Sequence, residues 1–314
     1  MIRYIKYNEI DKKKWDDCVD NSLNGIVYAY SWYLDIVCKK WDALVEDDYL
    51  SIFPLNYWKK SGIFYLYQPF FTQQLGVFSK NILTEEKINE FLFSIPDKFK
   101  LIEINLNTSI KNIDKNFSHQ KYINLELSLD NSYENIYKNY SKNLKRNIKK
   151  AIKNEITIKK DVDPLKIINI FRQNKGKNIK ILKDNDYSVL HELINKCVKK
   201  GKAEVWGAYT KDNQLCAGVV FVFSNNRIIF LFSGTADIAR DNGAMSFIID
   251  RCIKENSSKK IIFDFEGSNN VNLARFYKSF GAETINYLHL NINKLPAIIY
   301  KTKNVYKKFK DLIK

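Results

Sequence analysis

The sequence predicts an α/β (α+β) protein of two mixed domains, residues 1–128 and 129–314, each a mostly antiparallel sheet flanked by helices. Three observations carry this. A chain of 314 residues with 45% hydrophobic content is long enough to bury two cores. Short aromatic and β-branched runs alternate with segments of helical periodicity from end to end. The stretch Phe263-Asp264-Phe265-Glu266-Gly267-Ser268, followed by Asn270, Ala274, Phe276-Tyr277 and Phe280-Gly281, reads as a buried strand running into a helix that stops at a glycine.

The elements follow in order. Ile2 to Ile5 reads as a strand, and Asp11 caps a short helix through Cys18. Trp32, Tyr33, Ile36 and Val37 share one face of a helix over 31–40. Short aromatic strands are expected at 50–55 and 63–66, then the loop from Gln68 to Gly76, a helix from Thr84 to Phe93 and an alternating strand over 101–106. In the second half one long helix is expected from Ser132 to about Asn154, then a strand over 156–158. Pro164 opens the next helix, and Gly201 stops another that starts near Tyr187. Strands over 203–209, 216–223 and 228–233, a helix over 242–254, the strand 261–266 and the helix 272–280 complete the domain. A last strand over 287–292 and a basic tail helix end the chain.

Composition excludes several classes. The longest uncharged apolar stretch, Leu215 to Phe223, is about half of what a bilayer span needs. The N-terminus has neither an apolar signal core nor a small-residue cleavage site, so a cytoplasmic protein without an integral membrane segment is expected. Five scattered cysteines and three isolated histidines give no metal-ligand spacing, and no tightly bound cofactor is expected. The net charge of +16 comes from lysine rather than arginine, which argues against sequence-specific DNA reading and for attraction to polyanions in general.

Several residue patterns point to chemistry. Asp264 and Glu266 alternate with Phe263 and Phe265, so a regular strand presents both carboxylates on one face, and that face needs either a polar cleft or cationic partners such as Arg275 or Lys278. In the cleft reading, one carboxylate takes an amine proton. Ser141 to Lys153 forms a helix with Leu144 and Ile148 on one stripe and lysines around the rest; Lys145 and Arg146 are its candidate phosphate ligands, the alternative being a solvated helix face. Arg240-Asp241-Asn242-Gly243-Ala244 joins a strand to a helix, where free N–H groups suit an anion, with plain capping by Asp241 or Asn242 as the rival.

The strand-to-helix segment resembles the end of the GNAT acyltransferase superfamily, whose signature there is an asparagine, an alanine, an aromatic-tyrosine pair and a glycine. The order of elements resembles two tandem GNAT-like domains. Together with Ser141 to Lys153, Tyr33-Leu34-Asp35, Gln68-Pro69 and Gln73-Gln74-Leu75-Gly76-Val77-Phe78, it resembles the Fem-type aminoacyltransferases that build peptidoglycan cross-bridges in bacterial cell walls. The resemblance implies a cofactor-free N-acyltransferase with Tyr277 as the acid that protonates the leaving group, assisted by Asp264 and Glu266. It also implies that Ser233, Gly234, Arg240, Asn242, Gly243 and Ala244 hold the pyrophosphate of an acyl-CoA co-substrate. Met245, where a small residue is usual, and the negative Asp241 depart from that pattern. Gln68 and Gln73 join Lys145 and Arg146 as expected substrate ligands. Acyl-CoA is the first donor expected and aminoacyl-tRNA the alternative, with an amine acceptor that is free or carried on a nucleotide- or lipid-linked precursor. A non-catalytic module that binds an anionic ligand is the third reading.

Overall fold

Capping side chains set where the helices begin. β1 (Ile2–Ile5) leads to α1 (Lys12–Asn21), where the Asp11 carboxylate accepts the N–H groups of Lys13 and Lys14 at 3.0 and 3.1 Å. α2 (Ser31–Val37), β2 (Trp41–Glu46), β3 (Ser51–Lys60), β4 (Ile63–Tyr67) and β5 (Phe78–Ser79) follow. α3 (Glu85–Phe93) is capped by Thr84, and β6 (Phe99–Asn105) and β7 (His119–Ser128) come next. The second half holds α4 (Tyr133–Lys138), α5 (Lys142–Lys153), β8 (Thr157–Lys159), α6 (Pro164–Gln173), α7 (Asp184–Lys199), β9 (Ala203–Tyr209), β10 (Leu215–Ser224) and β11 (Arg227–Thr235). α8 (Ile238–Asn242), α9 (Ala244–Asn256), β12 (Ile262–Asp264), α10 (Val271–Lys278) and β13 (Glu283–Asn293) complete it. The computed structural model describes residues 1–38, 40–267 and 270–295, with the backbone alone at Arg240; the expected tail helix, Ser268 and Asn269 lie outside the described residues.

The chain divides into two compact units, residues 1–122 with those from 286 onward, and residues 123–285. In the first unit the strand order is β1-β2-β3-β4-β6-β13, with β5 on β3. Neighbours are antiparallel except the parallel pair β4 and β6. Phe53, Leu66, Phe91, Phe99, Ile104 and Leu290 fill its core.

In the second unit the order is β7-β12-β11-β10-β9-β8, again antiparallel except for one parallel pair, β11 and β12. Trp206, Phe221, Phe230, Phe263, Phe265 and Ile248 lie in its core. Helix α6 crosses β10 and β11 closely because Gly218 and Gly234 lack a Cβ, which would overlap Ile167 at either position.

Three expectations change. The long helix over 132–154 is two helices, because the Ser141 hydroxyl accepts the Leu144 N–H at 3.2 Å and starts α5 afresh. Strand β2 went unread because Asp42 and Glu46 interrupt its apolar run, although all six of its residues are buried. The last strand, expected in the second domain, groups with the first unit, since His289 to Asn293 pair antiparallel with Asn105 to Leu101 of β6. The first boundary accordingly falls inside β7 rather than after residue 128.

Candidate active site

Strands β11 and β12 run side by side for only three pairs, Arg227–Ile262, Ile228–Phe263 and Ile229–Asp264. β11 continues to Thr235, while β12 stops at Asp264. The stop has a local cause: Glu266 takes a left-handed backbone, φ +53°, and its N–H turns back to the Asp264 carboxylate at 2.9 Å.

Aromatic rings stand where the strands part. Tyr277 stacks on Phe265 with centroids 4.8 Å apart and meets Phe230 edge-on at 5.9 Å. Its helix α10 is fixed at the start by Asn270, which accepts the N–H groups of Asn272 and Leu273. At the far end Gly281 closes the turn with φ +84°. The Tyr277 ring is 6% exposed. Its hydroxyl has no hydrogen-bond partner among the described residues. Burial, and then the nearby Glu266 carboxylate, raise its pKa well above that of an ordinary phenol. The hydroxyl therefore stays protonated at neutral pH.

The two acids do not share a face. The strand alternation that would align them breaks at Glu266, which lies half-buried and close to Tyr277. Asp264 is 1% exposed and sits in a closed polar cluster. Arg227 Nη1 donates to Asp264 at 3.1 Å and to Glu126 at 2.9 Å, and Asn124 Nδ2 donates to the same two carboxylates at 3.0 and 2.9 Å. Burial, with Glu126 beside it, pushes the Asp264 carboxyl up to about 6 against the pull of Arg227. Arg227 resists burial and is held charged by both carboxylates. The cation that partners Asp264 is thus Arg227, not Arg275 or Lys278. The available sequence signal was Arg227 itself, an arginine opening an apolar strand in a chain whose cations are mostly lysine.

The start of α9 is a packed junction. The Asn242 side chain already accepts the Ala244 N–H at 3.0 Å, and its amide points to Cys216 Sγ at 3.5 Å. Gly243 takes φ +77° and presses on the backbone of α5, where an added Cβ would overlap the Asn147 carbonyl. Ala244 is fully buried, and Gly234 lies under α6. Ser233 pairs with Val219 inside the sheet. The Arg240 side chain lies outside the described residues.

Gln68 and Gln73 organise their own loop. Gln68 donates to the Thr72 carbonyl at 2.7 Å and accepts the Asn105 N–H at 3.0 Å, while the Gln73 carbonyl accepts Asn105 Nδ2 at 2.7 Å. Lys145 donates to the Lys138 carbonyl at 3.0 Å and lies over the Tyr137 ring. Arg146 is exposed and donates to Asn143 at 2.6 Å. Among the expected site residues, then, Tyr277 and Glu266 come together at the parting of β11 and β12; the others occupy separate places.

No protein-family model matches the sequence, and no curated protein does. Solved structures match in fold. FemX is 12% identical, over 96% of this chain and 99% of that one, with a TM-score of 0.64. L-PGS from Bacillus licheniformis is 12% identical, over 96% and 97%, with a TM-score of 0.56. The C-terminal domain of a putative lysylphosphatidylglycerol synthetase from Agrobacterium fabrum is 9% identical, over 91% and 92%, with a TM-score of 0.54. The chain has the mixed α/β fold of FemX and these synthetases along nearly its whole length. Among the described residues, no helix is long and apolar enough to cross a membrane.

Proposed function

We propose that this protein is a Fem-like N-acyltransferase made of two tandem GNAT-like domains, with its chemistry in the gap where β11 and β12 part. The observation that carries the reading is Tyr277, a protonated phenol with an unpartnered hydroxyl at that gap, on a fold shared end to end with FemX.

The reaction needs three events. The acceptor amine attacks the donor carbonyl, the tetrahedral oxyanion collapses, and the departing group takes up a proton. Glu266 is assigned the proton released by the amine, and Tyr277 supplies the one gained by the leaving group. The two residues exchange that proton through solvent between turnovers. Asp264, closed in with Arg227, serves to hold the end of β12 rather than to react.

Acidity matching supports one donor over the other. A phenol raised above its ordinary value is a poor acid towards a thiolate, whose conjugate thiol sits near ~8.5, and a suitable one towards an alkoxide, which is far more basic. An ester donor such as aminoacyl-tRNA is therefore favoured over acyl-CoA. The α9 start supports this, since its Ala244 N–H is already taken and Gly243 abuts the backbone of α5. Lys145 and Arg146 are the proposed contacts to the donor's phosphates, and the acceptor is an amine on a cell-wall or lipid precursor. Incubating the protein with charged tRNA, or with acetyl-CoA, and with amine acceptors tests the reading. Transfer from the ester donor is expected. Binding of a donor with no transfer to any amine would make the protein a binding module instead.

A further inference from the structure

The helix that carries Tyr277 rests on the elbow between α4 and α5. There the Ser141 N–H donates to the Ser279 carbonyl, at the end of α10, at 2.9 Å. Gly281 comes so close that an added Cβ would stand 3.2 Å from the Asn139 Cβ. The Tyr140 ring meets Phe280 edge-on at 5.4 Å, and Phe280 lies 5.5 Å from Phe265, on which Tyr277 is stacked. The Phe280 N–H also donates to the Tyr277 carbonyl at 3.1 Å. A displaced elbow therefore reaches the Tyr277 ring by two routes, backbone and ring contacts.

A buried carboxylate holds the elbow from its other side. Asp250, on α9, is 5% exposed, and its Oδ1 accepts the Tyr133 hydroxyl at 2.9 Å across 117 residues of chain. The buried Tyr140 hydroxyl lies beside the same carboxylate without closing a well-formed hydrogen bond. Lys254, one turn further along α9, lies over the Tyr133 ring at 5.0 Å. Burial pushes the Asp250 carboxyl above its ordinary value, and Tyr133, Tyr140, Lys254 and Arg251 oppose it. An apolar side chain of similar size would fill this space without the cost of burying a carboxylate. What the carboxylate adds is direction, because its lone pairs fix where the phenols of α4 stand.

We propose that Asp250 is a positioning residue for the transfer reaction. Through Tyr133 and Tyr140 it sets the elbow on which α10 is seated, and so the place of the Tyr277 hydroxyl at the gap between β11 and β12. The inference rests on the reading of Tyr277 as the leaving-group acid. A proton donor displaced by about 1 Å loses much of its effect, so a carboxylate that never meets the substrate still governs the rate. Asp250 acts through these contacts and takes no proton in the reaction.

The test follows the full-length protein by steady-state kinetics with charged tRNA and an amine acceptor, and by NMR with its tyrosines isotope-labelled at the ring. Asp250→Ala should lower kcat about tenfold and leave KM within about twofold. Asp250→Asn, which keeps an oxygen to accept from Tyr133, should recover most of the rate. Tyr133→Phe removes a single hydroxyl and should lower kcat about threefold; it carries the test if Asp250→Ala does not fold. In a Tyr277→Phe background Asp250→Ala should slow transfer no further. In the parent background it should shift the Tyr277 ring signal, which is identified by its loss in Tyr277→Phe. Variants that melt earlier but keep the parent kcat, or an Asp250→Ala effect undiminished without the Tyr277 hydroxyl, overturn the proposal. If no donor supports transfer, the reading of Tyr277 as an acid falls, and the ring signal decides this inference separately: a shift sustains the placement of Tyr277 by Asp250, and an unmoved signal overturns it.

Discussion

The two units contain the same run of strand directions and treat its one parallel pair in opposite ways. In the first, β4 and β6 pair from Phe64–Phe99 to Tyr67–Glu103, and when β4 ends the chain itself fills the space beside β6. Leu75 bridges to Leu106, its N–H donating to Asn105 and its carbonyl accepting from Asn107. The Asn107 side chain ties down the carbonyls of Leu75 and Val77. In the second, no segment takes that place among the described residues; side chains do, and one of them ends in an unpartnered hydroxyl. Where the opening is left to side chains, it holds the proposed reaction site. Where backbone re-enters, it becomes a structural seam.

The comparison can be broken at several points. The largest effect is expected at Tyr277→Phe, which keeps the stacked ring and removes the proton. The transfer rate should fall about 10²–10⁴-fold with KM little changed, measured by steady-state kinetics. Full activity in this variant would remove the chemical difference between the units.

Gly243→Ala should destabilise the protein by about 2–3 kcal/mol in urea unfolding, through its positive φ and the overlap with Asn147. A tolerated alanine would mean that the α9 start has room for a pyrophosphate, and acyl-CoA would regain its place as donor. Asn107→Ala, in the seam of the first unit, should cost about 1–2 kcal/mol by removing two buried side-chain hydrogen bonds, although the Leu75 carbonyl keeps the Asn107 N–H and the Val77 carbonyl keeps the Asn24 amide, without touching the chemical step. A loss of kcat at constant stability would assign the first unit a catalytic part.

Asp264 predicts a pH dependence. Its carboxyl is raised to about 6 in the fold from an unfolded value near ~4, so the folded state binds the extra proton. That stabilisation is full below pH ~4 and is lost as pH rises through ~6, amounting to roughly 3 kcal/mol. The difference in unfolding free energy between the parent and Asp264→Asn, followed from pH 4 to 7, should show this slope, and a flat difference would remove the role assigned to burial. Smallest of all, Lys145→Gln with Arg146→Gln should change stability by less than about 0.5 kcal/mol. The same pair should lower the salt slope of charged-tRNA binding by about 1.4, and an unchanged slope would leave α5 as a solvated helix face.

Much of the fold is legible locally. Asp11, Thr84, Pro164 and Asn270 mark helix starts, Gly201 and Gly281 mark ends, and the buried stripe Leu144 and Ile148 of α5 follows from spacing, with the choice of Ala151 over the exposed Ile152 made by the packing. These signals act within a turn or two of chain, where hydrogen-bond geometry and side-chain period depend only on near neighbours. The pairing of Tyr277 with the strand before it belongs to the same group, since the two are joined by one short connection.

What the tertiary structure alone decided depends on contacts that leave no local trace. Asp264 finds Arg227 and Asn124 at separations of 37 and 140 residues, which turned an expected catalytic acid into part of a closed charge cluster. The carbonyl of Asn147 closes the helix start that local sequence marked for an anion, and β6 recruits the last strand from the far end of the chain. A carboxylate on a strand is equally compatible with a cleft or with a buried partner, because the cost of burying it is set by whatever distant residue arrives beside it.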